Sequence, residues 1–207
     1  MILFMHAAGQ KSNAAIHKGN ELYKQKNFET SQQEYEKVLT TDPKNSTASY
    51  NNGNAAFRNN KPDEAIGSYD NAIDNSNNKA LRQKAFYNKG VVLARQQKLQ
   101  ESINAWKESL KLDGNDQEAR ENLQKALMEL KKQQEQQNKE ENKDKKDKKD
   151  KKQDQQQKQQ QKPQQQQSKL NKQQVEQLLK ALEQKEKEIQ QKMQKGNPAP
   201  NKPDKDW

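Results

Sequence analysis

Three glycines recur along this chain at nearly constant spacing, and they constrain its fold more than any other feature. Gly19 and Gly53 are 34 residues apart, and Gly90 follows Gly53 by 37 residues. A small residue lies 12 positions after each glycine, and a large aromatic residue lies 16 positions after it. These residues are Ser31, Ala65 and Ser102, and Tyr35, Tyr69 and Trp106. A regular period of this length predicts a stack of similar supersecondary units.

The unit from Ser46 to Lys79 indicates what each copy folds into. It reads as two short helices separated by a turn at RNNKPDE, and Pro62 suits the first turn of the second helix. A glycine facing a small residue lets two helices cross closely, and the aromatic side chain fills the space beside them. We therefore predict that these positions, together with Leu39 and Leu110, form the core.

The helix–turn–helix unit and the 34-residue period resemble tetratricopeptide repeats. The resemblance implies an all-α fold, a short α-solenoid of three repeats closed by a capping helix. The extra residues 80–82 are expected to lengthen the first helix of the third repeat. We place the domain at 11–137, with repeats at about 12–45, 46–79 and 83–114 and a cap at 115–137 that begins at Asn115 or Asp116.

Charge and hydrophobicity separate this domain from the rest of the chain. The stretch Met1–Leu130 holds 18 Lys and Arg against 16 Asp and Glu, a net charge of +2. The stretch Lys131–Trp207 holds 21 against 13, a net charge of +8, and it contains few apolar side chains. A segment without apolar periodicity cannot form a core, so 138–168 is predicted to be a disordered linker.

Helical order is predicted to return over 169–195. Asn171 and Gln174 resemble a capping box, and an apolar stripe follows, with Gly196 ending the helix. The stripe contains Val175, Leu178, Leu179, Leu182, Ile189 and Met193. It could pack on the repeats, self-associate as a coiled coil, or dock on another protein. Beyond it, 196–207 is predicted to be a flexible tail whose DKDW terminus could act as a ligand.

The start of the chain and its composition bear on its cellular compartment and on whether it could be an enzyme. Residues 1–10 resemble the end of a truncated secretory signal, and a frayed, buried helix end is the alternative. The absence of cysteine excludes disulfides, thiolate zinc sites and a cysteine nucleophile. No phosphate loop or paired-carboxylate motif accompanies the two histidines, so no enzymatic activity, cofactor or metal is expected.

Tetratricopeptide proteins usually bind partners on the concave face that is lined by the first helix of each pair. Here that face is predicted to carry a row of amides, two aromatic rings and several cations. The amides could pair with an extended peptide backbone, and the cations would favour carboxylates. The alternative is that these side chains are only solvated. The candidate residues are Asn20, Tyr23, Lys24, Asn51, Asn54, Phe57, Arg58, Lys84, Asn88 and Arg95.

Some family members hold a C-terminal carboxylate in a clamp of two Lys, two Asn and one Arg. In this sequence, Asn20, Asn51 and Lys84 match clamp positions. Ile16 stands where a Lys is expected, and Asn88 stands where the Arg is expected. Two of the three cations are thus missing, so the resemblance implies a peptide site that differs from the clamp.

The order of segments also resembles a small tetratricopeptide protein family encoded in the Bat (aerotolerance) operons of Bacteroidetes. The resemblance rests on KGNELYKQKNFE, the Lys/Gln-rich middle, LLKALEQKEKEIQQKM and the terminal DKDW. It implies a periplasmic or cell-envelope location, with von Willebrand A proteins or MoxR-type ATPases as partners.

Taken together, these patterns predict a protein-interaction scaffold that binds an extended peptide or a partner protein in its groove. The alternative is a polybasic protein that uses 143–152 to bind an anionic membrane surface or nucleic acid. Aspartates interrupt this lysine run and it contains neither arginine nor aromatic residues, so no specific nucleic-acid site is predicted. A steep loss of binding with salt would mark the polybasic mode.

Overall fold

The computed structural model describes residues 2–150 and 170–194, with side chains described for 12–139 and 170–192. Every regular element among these residues is an α-helix. The helices are α1 Ile2–Lys24, α2 Phe28–Thr41, α3 Ser46–Arg58, α4 Pro62–Asn75, α5 Lys79–Arg95, α6 Leu99–Leu112, α7 Gln117–Asp150 and α8 Lys172–Gln194. They divide into two compact units, with the boundary inside α7 after Leu123.

The first unit contains three helix pairs, α1–α2, α3–α4 and α5–α6, as the repeat predicts. The second pair begins at Ser46, and Pro62 is the first residue of α4. The third pair begins at Lys79 instead of residue 83, because residues 80–82 continue the helix that Asn78 caps. Helix α5 has 17 residues and α3 has 13, which confirms that the insertion lengthens the first helix.

Each of the three glycines lies directly against the predicted aromatic ring of its own repeat. A Cβ atom added to Gly53 would lie 2.7 Å from the ring of Tyr69, and one added to Gly90 would lie 2.5 Å from Trp106. Both rings are almost fully buried. Only hydrogen at the glycine Cα fits at this distance, so the predicted close helix crossing is confirmed. Leu39 and Leu110 are half-buried, at the margin of the core.

The turn inside each repeat has a left-handed residue at the same position, seven positions after the glycine. Lys26, Asn60 and Gln97 have φ angles of 64°, 59° and 59°. In the second repeat, the N–H of Lys61 then donates to the carbonyl of Ala56 at 2.9 Å. This geometry is a Schellman ending, which reverses the chain tightly enough for the two helices of one repeat to pack.

Asp116 caps the helix that follows the third repeat, which resolves the choice between two predicted caps. Its Oδ1 accepts a hydrogen bond from the N–H of Ala119, and its Oδ2 accepts one from Nε2 of Gln83 at 2.6 Å. Gln83 also bonds to Ser109 on α6. This buried network joins α5, α6 and the beginning of α7. The predicted apolar stripe of α7 is buried at Ala119, Leu123, Ala126 and Leu127 and half-buried at Leu130.

The second unit contains the remainder of α7 and helix α8. Asn171 and Gln174 exchange two hydrogen bonds of 2.9 Å, which confirms the predicted capping box. Lys131 lies 3.5 Å from Glu176, and Glu135 lies 3.9 Å from Lys172. Since the numbers rise along α7 as they fall along α8, the two helices are antiparallel. The apolar stripe of α8 begins at buried Val175, beside these contacts.

The boundary between the capping helix and the lysine-rich linker differs from its prediction. Helix α7 runs to Asp150, whereas the sequence predicts a linker from residue 138 onward. Lys, Glu and Gln are good helix formers, so a helix that is already nucleated can extend through a segment with no apolar face. The predicted linker after residue 150, Gly196 and the DKDW terminus lie outside the described residues. Whether residues 1–10 are a truncated signal stays a prediction.

Candidate peptide-binding face

The ten predicted site residues all lie on α1, α3 and α5, the first helices of the three pairs. We call the surface formed by these three helices the inner face. Repetition of the glycine packing places equivalent residues of each repeat in register, so side chains at the same position recur from helix to helix. The amides, the aromatic rings and the cations of this face have different surroundings.

The first pair of amides connects α1 to α3. Oδ1 of Asn20 accepts from the hydroxyl of Tyr35 at 2.7 Å and from Nδ2 of Asn51 at 3.0 Å. Asn20 and Asn51 are both half-buried. The core tyrosine of the first repeat therefore orients an asparagine that binds the next repeat.

The same arrangement recurs between α3 and α5. Oδ1 of Asn54 accepts from the hydroxyl of Tyr69 at 2.8 Å and from Nδ2 of Asn88 at 2.9 Å. Nδ2 of Asn88 also donates to the hydroxyl of Tyr50 at 3.2 Å. Burial raises the pKa of Tyr69 well above its usual value, so this phenol remains a hydrogen-bond donor at any physiological pH.

Burial separates these amides into two groups. Asn54 is 6% exposed and Asn88 is 2% exposed, whereas Asn20 and Asn51 are half-buried. The two buried amides bond to neighbouring helices, and such a contact stabilises the fold by about 1 kcal/mol per hydrogen bond. The sequence pattern alone placed all four on the surface. Their contact with a peptide stays a prediction, and burial favours Asn20 and Asn51 for it.

The third repeat lacks the tyrosine–asparagine hydrogen bond of the first two repeats and forms different hydrogen bonds in its place. Val91 replaces the asparagine after Gly90, and Nε1 of Trp106 donates to the backbone carbonyl of Tyr87 at 3.2 Å. Nδ2 of Asn122 on α7 donates to the hydroxyl of Tyr87 at 2.9 Å. Burial and the nearby Glu118 carboxylate raise the pKa of Tyr87.

Sequence reasoning missed Asn122, although a signal for it was present. Asn122 follows Asn88 by 34 residues, which is the repeat period, so it occupies the same position on the capping helix. The prediction assigned the capping helix only an apolar stripe. The amide row therefore extends one helix beyond the three predicted repeats.

Two arginines on the inner face stack on aromatic rings. The guanidinium carbon of Arg58 lies 5.0 Å from the ring centroid of Phe28, and that of Arg95 lies 4.7 Å from the centroid of Phe57. Both arginines are exposed, and neither forms a hydrogen bond or ion pair with another described residue. Stacking on a ring holds a guanidinium in one plane while its N–H groups remain available at the edge.

The other predicted residues flank this arginine pair. Lys24 bonds to Glu21 at 2.9 Å, so its charge is partly neutralised. The ring of Tyr23 contacts Phe28 edge-on, with centroids 5.2 Å apart. Phe28, which the sequence did not assign to the site, thus contacts both Tyr23 and Arg58. Lys84 is half-buried on α5 and has a polar contact of its own.

Two further properties of the described residues bear on function. No cluster of three His, Asp or Glu side chains among them has the arrangement of a metal site. None of the described helices combines the length and apolar character that a bilayer span requires.

Helix pairs stacked in register on glycine–aromatic contacts define this unit as an α-helical repeat domain of the solenoid class. The family model of the tetratricopeptide repeat matches residues 17–80 and again residues 50–117. Residues 17–117 thus match the tetratricopeptide repeat, and this part of the chain has the fold of a tetratricopeptide-like solenoid. This family is a protein-binding repeat, and no catalytic family is indicated.

Three known proteins show the extent of the similarity. The first repeat domain of Spaghetti (RPAP3), bound to the HSP90 peptide SRMEEVD, is 28% identical with a TM-score of 0.52, covering 58% of this chain and 94% of that one. The N-terminal domain of stress-induced protein-1 from C. elegans is 25% identical with a TM-score of 0.54, covering 58% and 97%. A DnaJ homolog subfamily C member 7 homolog from Schizosaccharomyces pombe is 29% identical over 120 residues. That match covers 55% of this chain and only 24% of the relative's own length.

Proposed function

We propose that this protein is an interaction scaffold whose inner face binds an acidic, extended peptide segment of a partner protein. The observation that carries the proposal is the pair of exposed arginines, Arg58 and Arg95, each stacked on a ring and without another polar partner among the described residues. A cation that is already oriented loses less conformational entropy on binding a carboxylate than a free side chain does.

The two arginines occupy equivalent positions on neighbouring first helices, five positions after Gly53 and Gly90. Packed helices lie about 8–10 Å apart, and we take the two guanidinium groups to be separated by a distance of the same order. An extended peptide rises about 3.3 Å per residue, and carboxylates two or three residues apart match the spacing. The half-buried amides Asn20 and Asn51 would bind the backbone of the same peptide.

The similar domain of Spaghetti is bound to SRMEEVD, a peptide with three acidic side chains. That complex supports an acidic ligand for this chain, while the cations here lie at other positions. Ile16 replaces one clamp lysine, and Asn88, which replaces the clamp arginine, is buried against α3. Recognition by Arg58 and Arg95 would therefore favour acidic side chains within the peptide over a C-terminal carboxylate alone.

The partner and compartment belong to the same proposal. The segment order that resembles the Bat operon family supports a cell-envelope complex, with the scaffold in the periplasm. Von Willebrand A proteins and MoxR-type ATPases are the partners that this resemblance supports. An acidic segment on such a partner is the feature that the inner face would recognise.

The test is binding of fluorescein-labelled SRMEEVD to the full chain, measured by fluorescence anisotropy. Each charge-assisted hydrogen bond is worth about 1.5–3 kcal/mol, so Arg58→Ala with Arg95→Ala should weaken binding at least about tenfold. The matched control is Lys44→Ala with Lys111→Ala, which removes the same charge from exposed positions on other surfaces. It should change affinity less than about twofold.

Two results would contradict the proposal. Binding that is unchanged in the arginine variant would exclude the inner-face cations. Binding that survives in that variant, falls steeply with salt and disappears when residues 143–152 are neutralised would assign it to the lysine tract, the polybasic alternative. Unchanged helicity by circular dichroism is the fold control for all variants.

A further inference from the structure

A second groove lies on the opposite helices of the repeats, between α4 and α6, with α5 beneath it. We call it the α4–α6 groove. It has a volume of about 480 Å³. Ile66, Phe86 and Leu93 provide its apolar surface. None of these three side chains is among the ten candidate residues of the inner face.

The preceding helices form an equivalent position, the α2–α4 groove, which has α3 beneath it. Side chains bridge this groove. Nε2 of Gln32 on α2 donates to Oε2 of Glu64 on α4 at 2.6 Å, and Nδ2 of Asn71 on α4 donates to Oγ of Ser49 on α3 at 2.8 Å. The chain's own polar groups therefore occupy the seam between these two helices.

Sequence differences at the equivalent positions remove the counterparts of these two bridges from the α4–α6 groove. The counterpart of Gln32 is Ile66, 34 residues later, and the counterpart of Glu64 is Glu101, 37 residues later. Ile66 has no polar atom to donate, so no bridge forms. Glu101 is exposed and makes no hydrogen bond or ion pair with another described residue.

The base of the groove changes in the same way. The counterpart of Ser49 is Phe86, and the counterpart of Asn71 is Glu108. Phe86 and Ile66 pack on the core but are only partly buried, so their outer surfaces face the groove. The side-chain bridge between successive second helices is thus absent between α4 and α6, and an aromatic ring replaces the polar side chain at the base. The polar contacts that remain in this groove, Lys89 with Asp70 and Gln96 with Asp63, join α4 to α5 and its C-cap.

Charge defines what could fill this opening. Four acidic side chains line the α4–α6 groove against two lysines. Asp70 is paired with Lys89 and Glu108 with Lys111, so Asp63 and Glu101 are the lining carboxylates that form no ion pair with another described residue. Asp63 and Glu101 are exposed on opposite walls, on α4 and α6. Asp63 accepts a hydrogen bond from the amide of Gln96 at 2.8 Å, a neutral donor that leaves its charge uncompensated. A bulky apolar side chain that fills the groove would lie between these two carboxylates, which favour a neighbouring Lys or Arg.

We propose that the α4–α6 groove is a second docking site, and that its occupant is a basic segment of a partner protein carrying a bulky apolar anchor such as leucine. The occupant has the opposite charge from the ligand proposed for the inner face. One repeat domain would then bind two chemically different segments on its two sides. This inference does not depend on the function of the inner face.

The probe is a fluorescein-labelled twelve-residue peptide with two leucines one helical turn apart and lysines at most other positions. Its companion has every lysine replaced by glutamine, which removes the charge without creating an acidic peptide that the inner face would bind. Anisotropy titration with the full chain should show saturable binding of the lysine peptide, with at least tenfold weaker binding of its companion. Ile66→Gln with Phe86→Ser, which copies the α2–α4 groove, should weaken binding at least tenfold.

The matched charge control uses two equivalent acidic residues. Asp63 and Glu29 occupy the same position in successive repeats, and each lies in the first turn of the second helix of its repeat. Asp63→Lys should weaken binding at least fivefold, whereas Glu29→Lys should change it less than twofold. Because both sites are exposed, neither variant removes core packing.

Three outcomes would overturn the proposal. The first is equal weakening by Asp63→Lys and Glu29→Lys, which would mean nonspecific attraction to acidic surface. The second is equal binding of the two peptides. The third is loss of lysine-peptide binding in the Arg58→Ala, Arg95→Ala variant, which would place the peptide on the inner face. Loss of SRMEEVD binding in that variant, with the lysine peptide unaffected, supports both sites separately.

Discussion

The second and third repeats have the same backbone arrangement but hold their helices together with different chemistry. In the second repeat, a tyrosine hydroxyl bonds to Asn54, which bonds in turn to the next repeat. In the third, Val91 removes the amide and the indole of Trp106 bonds to a backbone carbonyl instead. A polar connection between α5 and α7 remains in the bond from Asn122 to the hydroxyl of Tyr87, which is equivalent to the bond from Asn88 to Tyr50.

The comparison shows that the fold requires the contact between glycine and aromatic ring but tolerates different polar partners beside the ring. A glycine against a planar ring is present in every repeat, since it sets the distance between the two helices of a pair. The polar group beside the ring varies, because an amide or a backbone carbonyl can equally accept the donor. Substitutions at the ring contact should therefore act alike in both repeats, while substitutions of the polar partners should not.

The largest expected effect is at the glycines. Gly53→Ala and Gly90→Ala each place a methyl group within 3 Å of a buried ring, at Tyr69 and Trp106 respectively. Overpacking of this kind costs about 1–3 kcal/mol of the free energy of unfolding. Urea denaturation monitored by circular dichroism measures it. Gly67→Ala is the control, because a methyl there meets no neighbour and should stabilise by up to about 1 kcal/mol.

A loss of stability confined to one of the two glycine variants would contradict the equivalence of the two repeats. It would mean that the indole and the phenol do not set the helix distance in the same way. Two losses of equal size, within the error of the measurement, would show that ring contact, and not the polar partner, determines the crossing.

The intermediate effect is at the polar partner. Tyr69→Phe keeps the ring but leaves Oδ1 of Asn54 with Asn88 as its remaining donor. We expect a loss of about 1 kcal/mol, the net value of one buried hydrogen bond. In the Asn54→Ala background the same substitution should cost less, since the acceptor is already absent. Equal costs in both backgrounds would show that the hydroxyl acts independently of Asn54.

The smallest effect concerns the first repeat, where a buried carboxylate replaces the small side chains of the later repeats. Glu34 is equivalent to Ser68 and Ala105. Hydrogen bonds from Lys18 and then Lys37, each 2.8 Å long, lower the pKa of Glu34. A lowered folded-state pKa contributes stability above the unfolded pKa of about 4.3, and the contribution is lost as the pH falls through the folded value.

Glu34→Gln should therefore lower stability at pH 7 by no more than about 1 kcal/mol, since both lysines are exposed and screened by solvent. At pH 3 the difference from the unmodified chain should shrink. Urea denaturation at both pH values measures it, with Glu36→Gln as the control on the same helix. A difference that is independent of pH would exclude the titration of Glu34 as its source.

Much of this fold is predictable from local sequence. The Pro62 helix start, the lengthened α5 and the Asn171 capping box are all confirmed, because each depends on residues within one or two turns of each other. The antiparallel contact of α8 with α7 could not be chosen in advance. An apolar stripe shows that a helix needs a partner, but it does not say which one.

The inner face was predictable at the level of the helix and not at the level of the side chain. Sequence periodicity places Asn54 and Asn88 on the first helices, but only the packing of adjacent repeats buries them against each other. The role of Phe28 was missed for the same reason. Its ring lies at the start of α2 and contacts Arg58 at the end of α3, in the next repeat.

The sequence alone determined that this chain forms paired helices stacked on glycine and aromatic contacts, followed by a lysine-rich segment and an amphipathic helix. It did so because helix periodicity and steric size are local properties. Tertiary structure decided which amides are buried, which arginines stack on rings and which of two equivalent grooves is open. These outcomes depend on side chains that meet across neighbouring repeats, distant from one another in the chain and in contact only once the helices have packed.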